Sequence, residues 1–405
     1  MSSETAAPPA PAESDPPRRA RRGRRRRVRA LVAAAVALAV LACAALGGIG
    51  WYFSDVATEV AHGDDYPITI VDAANGTVTL PRNAHTARPG TWGLVWKERS
   101  GRDGRAVLGR VTGGDARTVV RQVTAVPQGT PVKGARASID HWVYGGDPKS
   151  ALGIDFENVA YPSKLGPMPA WLLPAAAPGG GLSGTWVIGV HGHNSDKAET
   201  FRAMRTVHGL GLPMLSIAYR NDVGAPASPD GKNHLGDTEW NDVASAIAYA
   251  RTRGATGVVL YGWSMGGAMV MTALRHGPPL PVRGVVLDSP VMDWDATLHK
   301  QGAARGLPGF VVDVAEQVLE RRTGMDLDDY DQPRYAPRLK TPTLLFTTTD
   351  DSTVANGPAL AFAKAAPPGM VAHLSARADH TEAWNADPPL YEKALTSFLT
   401  RATHP

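Results

Sequence analysis

A chain of 405 residues has room for about two or three domains of ordinary size, and its formal charge of +4 is spread unevenly. Nine arginines against three acids fall within residues 1–29, so the remaining body is close to neutral, which argues against a nucleic-acid-binding core with its basic folded surface. Cys43 is the only cysteine, which excludes an intramolecular disulfide and a cysteine-based zinc site.

Residues 1–17 are rich in Pro, Ala and Ser and cannot bury enough apolar surface to fold. With the basic cluster Arg18 to Arg29, they are expected to form a disordered cytoplasmic tail over residues 1–29. Ala30 to Phe53 then run for 24 residues without a charge. As a helix this stretch spans about 36 Å, against about 30 Å for the hydrocarbon core of a bilayer. Trp51-Tyr52-Phe53 close it with rings that favour a membrane interface. Residues 30–53 are therefore expected to be a single-pass signal anchor, with the arginines in the cytoplasm and everything after Phe53 outside. Two alternatives stand beside it. A cleaved signal peptide has the same basic start, although its apolar core is shorter, about 7–15 residues. Val40-Leu41-Ala42-Cys43 loosely resembles a lipobox, although the apolar run continues well past Cys43. All three place the rest of the chain outside the cytoplasm. The abundance of Ala, Arg, Gly and Pro suits a bacterial chain.

Residues 54–135 carry short β-prone pieces: Ile68-Thr69-Ile70-Val71, Thr77-Val78-Thr79-Leu80 and Val119–Val123. Asn75-Gly76, between the first two, is a hairpin signal, because both residues tolerate the positive φ that a tight turn needs. This region reads as a small β-rich module or an N-terminal extension packed on the main domain, and it is too short for a propeller.

From residue 136 to 405, strands alternate with helical patterns, the mark of an α/β fold with a mostly parallel sheet. The expected strands include Trp186–Val190, Pro213–Ala218, Gly257–Tyr261, Gly284–Leu287, Pro342–Thr347 and Val371–Ser375, with a helix over Glu239–Arg253. Residues 291–337 are too long for an ordinary connection and read as a helical cap insertion.

Within this region Val258-Val259-Leu260-Tyr261-Gly262-Trp263-Ser264-Met265-Gly266-Gly267 reads as a buried strand, a Gly-x-Ser-x-Gly turn and the start of a helix. That is the pattern of a nucleophile elbow, whose glycines make room for a strained serine. A serine hydroxyl needs a base to take its proton and a carboxylate to orient that base. Candidates lie downstream, each just after an expected strand: Asp350 and Asp351, and His380. Asp288, at the end of an earlier strand, is a lesser candidate for the acid. The stretch Val187-Ile188-Gly189-Val190-His191-Gly192-His193-Asn194 leads a strand into a His-Gly turn. His191 and His193 are of metal-ligand type, but no further ligand cluster joins them, and no metal is expected.

Taken together, these segments resemble the serine α/β-hydrolases, near the prolyl oligopeptidase and esterase branches. The resemblance covers residues 136–405 and implies an α/β-hydrolase fold with an eight-stranded, mostly parallel sheet, preceded here by the transmembrane helix and the β-rich region. It implies the chain order Ser264, Asp351, His380, with Asp351 favoured over Asp350 because Asp351-Ser352-Thr353-Val354 resembles the family's Asp-x-x-Val segment. It also implies an oxyanion hole from the backbone N–H groups of Met265 and His193. The family usually has Gly before the histidine, and this chain has Asp379. No cofactor is implied. The expected activity is hydrolysis of a carboxylic ester, thioester or amide in a small-molecule or lipid acyl substrate, through an acyl-enzyme. An acyltransferase acting on a cell-envelope alcohol, and a silent binding protein on the same fold, are the alternatives. Trp263, Met265, Trp294, Phe310 and Trp384 are candidate pocket walls or core.

Overall fold

The computed structural model describes residues 18–61, 65–98, 101–175 and 184–403, with side chains from residue 26. Helix α1 (Arg18–Thr58) contains the apolar run and is the one helix among the described residues long and apolar enough to cross a membrane. The tail expected over residues 1–29 lies outside the described residues up to 17. From Arg18 onward it is corrected: the basic cluster continues the helix, since arginine is a good helix former and the last proline stands at 17.

The first sheet has seven strands, all antiparallel: β1 (Ile68–Thr69), β2 (Asp72–Ala74), β3 (Thr77–Pro81), β4 (Trp92–Lys97), β5 (Asp103–Gly114), β6 (Thr118–Gln128) and β7 (Arg136–Asp140). Their order is β1-β7-β4-β5-β6-β3-β2. Asn75 and Gly76 both take positive φ and form the tight turn, but the strand before it is Asp72–Ala74 rather than 68–71. Ile68–Thr69 pairs instead with β7. The boundary expected between 135 and 136 therefore moves beyond 140, because Arg136–Asp140 is held between β1 and β4. Trp92, Leu94, Trp96, Leu80 and Leu108 form the core of this unit.

The second sheet has eight strands: β8 (Glu157–Ser163), β9 (Gly166–Leu173), β10 (Thr185–Val190), β11 (Met214–Ile217), β12 (Gly257–Trp263), β13 (Val282–Asp288), β14 (Thr343–Thr348) and β15 (Val371–Ala376). The order is β15-β14-β13-β12-β10-β11-β9-β8. β10 to β15 run parallel, while the β8–β9 hairpin joins antiparallel, so the sheet is mixed. Every residue of β10, β11, β12 and β14 is buried, which is why these strands read as continuous apolar runs rather than alternating ones. Helices cover both faces: α2 (Phe201–Gly209), α3 (Trp240–Thr252), α4 (Met265–Arg275), α5 (Trp294–Ala304), α6 (Gly309–Thr323), α7 (Asn356–Ala365) and α8 (Pro388–Thr403). Two apolar cores result, one on each face. Helices α5 and α6 lie between β13 and β14, within the stretch read from sequence as an insertion.

Candidate active site

Strand β12 runs through the middle of the sheet and delivers Ser264 at its carboxyl end, immediately before α4. Ser264 has φ 51° and ψ −119°, a conformation that a non-glycine residue holds only at a cost of about 1–3 kcal/mol. Its surroundings hold it there. Its N–H donates to the Asp288 carbonyl at 3.0 Å, and its carbonyl accepts from Gly267 at 2.9 Å and Val291 at 3.0 Å. The flanking glycines are sterically required. A Cβ on Gly262 would lie 2.5 Å from the Gly266 carbonyl oxygen, and one on Gly266 would lie 2.2 Å from that of Val190.

The structure brings Ser264, His380 and Asp351 together. Ser264 Oγ lies 2.8 Å from His380 Nε2, and His380 Nδ1 lies 2.8 Å from Asp351 Oδ2. The other oxygen of the buried Asp351 carboxylate, Oδ1, accepts the backbone N–H groups of Thr353 at 2.9 Å and Val354 at 2.7 Å. The other two carboxylates stand apart. Asp350 is exposed and faces Arg377 at 3.5 Å. Asp288 is fully buried and accepts from Tyr391 Oη at 2.8 Å, and burial pushes its carboxyl up.

Asp379, the departure from the family pattern, acts as a clasp between the two loops. Its Oδ1 accepts the His380 N–H at 2.7 Å and, from the Asp351 loop, the Ser352 N–H at 2.7 Å and hydroxyl at 2.8 Å. Burial opposes its charge, but these hydrogen bonds prevail and hold its carboxyl below the usual range.

The loop after β10 presses against the nucleophile: a Cβ on Gly192 would sit 3.1 Å from Ser264 Cβ. Glu199 accepts the Gly192 N–H at 2.8 Å and the Ser195 hydroxyl at 3.0 Å. His191 has both ring nitrogens engaged, by Asp222 at 2.8 Å and by the Gly192 carbonyl at 2.9 Å. Burial disfavours its charge, yet the Asp222 carboxylate raises its pKa. An imidazole so engaged offers no lone pair, so His191 and His193 do not form a metal pair. His193 lines the cavity in front of Ser264, and its N–H donates to no group among the described residues. Its Nε2 faces the Asn233 amide nitrogen at 3.0 Å, and burial lowers its pKa to about 4, so the ring is neutral near pH 7. Met265 is the first residue of α4, where no carbonyl of the helix itself reaches the N–H.

The N-terminal sheet unit buttresses the histidine loop, a link the sequence did not reveal. The buried Arg121 guanidinium donates to the carbonyls of Thr86 at 3.1 Å, Arg88 at 2.6 Å and Gly90 at 2.9 Å. The segment so held pairs Arg88 with Glu382, which also accepts the Asp379 N–H at 3.0 Å. The Thr91 N–H donates to the Asn385 carbonyl at 2.9 Å, and Asn385 Nδ2 returns a bond to Thr91 at 3.0 Å.

A cavity of about 340 Å³ opens in front of Ser264. Of the five aromatic and sulfur candidates, only Trp294 lines it. Trp263 stacks on Tyr261 at 3.8 Å in the core, Met265 and Trp384 are buried, and Phe310 is 57% exposed. Between α5 and α6, Asp295, His299 and Glu316 offer ligand atoms within 4.8 Å of one another. The His299 ring already faces Asp313 at 2.9 Å on one nitrogen and the Asp295 carbonyl at 3.1 Å on the other, so both ring nitrogens are engaged within the protein.

The prolyl oligopeptidase family model matches residues 223–380, which contain all three of Ser264, Asp351 and His380. Over these residues the chain is similar to the serine hydrolases of that family. A second family model, a domain of unknown function (DUF8805), matches residues 68–140, the span of the first sheet. The uncharacterized protein YfhR of Escherichia coli K12 is 26% identical over 166 residues, 40% of this chain and 55% of that protein, so the match spans just over half of the relative. The esterase Pf2001 of Pyrococcus furiosus is similar in structure at 18% identity, covering 64% of this chain and 95% of its own, with a TM-score of 0.50. An alpha-beta hydrolase from Vibrio vulnificus covers 60% of this chain and 80% of its own at 19% identity, with a TM-score of 0.45. The eight-stranded sheet and the likeness to Pf2001 give this region the α/β-hydrolase fold, as the resemblance implied.

Proposed function

We propose that this chain is a membrane-anchored serine hydrolase that cleaves an acyl ester outside the cytoplasm. The observation that carries the reading is the hydrogen-bonded series Ser264–His380–Asp351, with 2.8 Å at each link, opening into an apolar cavity. His380 Nε2 takes the proton as Ser264 Oγ bonds to the acyl carbon. Asp351 keeps the other imidazole proton on Nδ1 and balances the charge of the imidazolium. The His193 and Met265 N–H groups face the developing oxyanion. His380 then protonates the leaving alcohol. Water attacks the acyl-Ser264 ester with His380 again as base, releasing the carboxylic acid. Thioesters and amides can follow the same path with a different leaving group.

The location rests on α1. Its arginine-rich start and uncharged run are the pattern of a segment that keeps its basic end in the cytoplasm, which puts the catalytic region on the other side. Steady-state hydrolysis of p-nitrophenyl acetate tests the assignment. Ser264→Ala is expected to lose about 10⁶-fold in kcat, the order of loss seen when such a nucleophile is removed. Retention of more than a tenth of wild-type activity sinks it.

A further inference from the structure

The cavity at Ser264 is completed by the membrane helix itself. Phe53, Val56 and Ala57 of α1 face Trp294 and Leu298 of α5 and Leu319 of α6 across it. Gly50, Ser54 and Thr58, four residues apart, are buried and mark the face by which α1 docks. The approach is close: a Cβ on Gly50 would lie 3.0 Å from Val318 Cγ2. Asp55 pairs with Arg322 at 2.6 Å and Lys232 at 3.0 Å, and the Arg322 guanidinium lies over the Trp51 ring at 3.8 Å. The carbonyls at the end of α1 are met by the groups that support the proposed oxyanion loop. The Asn233 N–H donates to Thr58 at 3.0 Å, and the Asn233 and Asn194 side-chain amides both donate to Glu59 at 3.0 Å.

The apolar run therefore ends where the cavity wall begins. Phe53 closes the one and lines the other, and Ala57 lies about 6 Å further along the axis. Val314 and Val318 of α6 lie at Gly50, whereas Arg322 lies at Trp51 and Asp55, so α6 and α1 run in the same sense. The start of α6 thus points back along α1 toward the bilayer, and Phe310 there is exposed, as are Trp51 and Tyr52 on α1. Exposed aromatic rings at this level suit the membrane interface.

From this geometry we propose that the last turns of α1 are a retained wall of the acyl-binding pocket, and that the enzyme takes an ester carrying a long apolar acyl chain from the membrane in which it is anchored. Cleavage after the apolar run would strip Phe53 from the cavity and expose the apolar face of α6. The proposal rests on Ser264 being the nucleophile.

The test uses the full chain in phosphatidylglycerol–phosphatidylethanolamine vesicles. Ala57→Trp fills the cavity and is expected to lower the ratio of kcat/KM for p-nitrophenyl dodecanoate over acetate at least tenfold. Phe53→Ala widens it and is expected to raise the ratio for the hexadecanoate. If Ala57→Trp does not fold, Phe53→Ala alone decides, and unchanged ratios overturn the proposal. A non-exchanging fluorogenic two-chain ester, placed in the enzyme's own vesicles or in separate ones, distinguishes the source. At least tenfold faster turnover in the shared vesicle supports uptake from the membrane, and equal rates overturn it. Labelling of wild type by a fluorophosphonate is read separately. No labelling sinks the assignment of Ser264, whereas labelling with unchanged ratios sinks the wall.

Discussion

Asp351→Asn separates an orienting carboxylate from a merely structural one. Asp351 Oδ1 accepts two backbone N–H groups, from Thr353 at 2.9 Å and Val354 at 2.7 Å. In the variant the amide oxygen must keep that position, because an NH₂ group there would face two donors. The amide nitrogen is then forced toward His380 Nδ1, which must turn acceptor. The ring proton moves to Nε2, the atom 2.8 Å from Ser264 Oγ, and the base can no longer take the serine proton. An exchange of this kind, giving the wrong tautomer, costs about 10⁴-fold in kcat. That is about 5.5 kcal/mol in activation free energy. The fold should persist, since the side chains have the same shape and both backbone bonds survive. The assay is p-nitrophenyl acetate turnover with circular dichroism and thermal unfolding alongside, and Asp350→Asn as the control expected to stay within twofold of wild type. A loss below tenfold in folded Asp351→Asn would refute the reasoning.

Other consequences arise from the same contacts. Gly266→Ala places a Cβ 2.2 Å from the Val190 carbonyl oxygen, backbone that cannot swing away, so a loss of at least about 3 kcal/mol or failure to fold is expected in urea unfolding. Asp379→Ala removes the clasp between the Asp351 and His380 loops and should cost about 1.5–3 kcal/mol in stability. Its kcat should fall roughly tenfold by the resulting displacement of His380, with KM little changed, as read by kinetics on a short ester. Glu316 is pushed up to about 8, chiefly by burial and then by Asp295. The folded chain then keeps a proton that the unfolded chain releases near the ordinary carboxyl value of 4.5, so stability falls as pH rises from that value to about 8. Thermal unfolding from pH 5 to 9 should show this decline in wild type and a flatter profile in Glu316→Gln.

The parts of the fold that were legible in sequence are those in which local chemistry admits one arrangement. The strand before Ser264 is buried on both faces and so unbroken in its apolar residues, and Gly262 and Gly266, on either side of the serine, are demanded by backbone atoms within 2.6 Å of where a Cβ would stand. The β8–β9 hairpin was not legible, because Pro162, Pro167 and Pro169 make the edge strand β8 and its neighbour β9 look like turns. Asp379 read as a weakening of the family pattern, since its value lies in contacts to Ser352, which is 27 positions away in the chain. The docking face of α1 was hidden for a different reason. Gly50 is unremarkable in an apolar run, and the residues that approach it, Val314 and Val318, come from a helix more than 250 residues later. The aromatic candidates divided by three-dimensional neighbours alone, with Trp294 at the cavity and Trp263 in the core.

The central claim is that Ser264 is the acylated nucleophile of a relay completed by His380 and Asp351. Its most direct test is peptide mapping of the full chain after reaction with a fluorophosphonate, which bonds covalently only to an activated serine. One phosphonyl group per chain on the peptide containing Ser264, with none on Ser264→Ala and greatly slowed addition to His380→Ala, is the result the account predicts. Stoichiometric labelling at another residue, or equal labelling of wild type and Ser264→Ala, would contradict it.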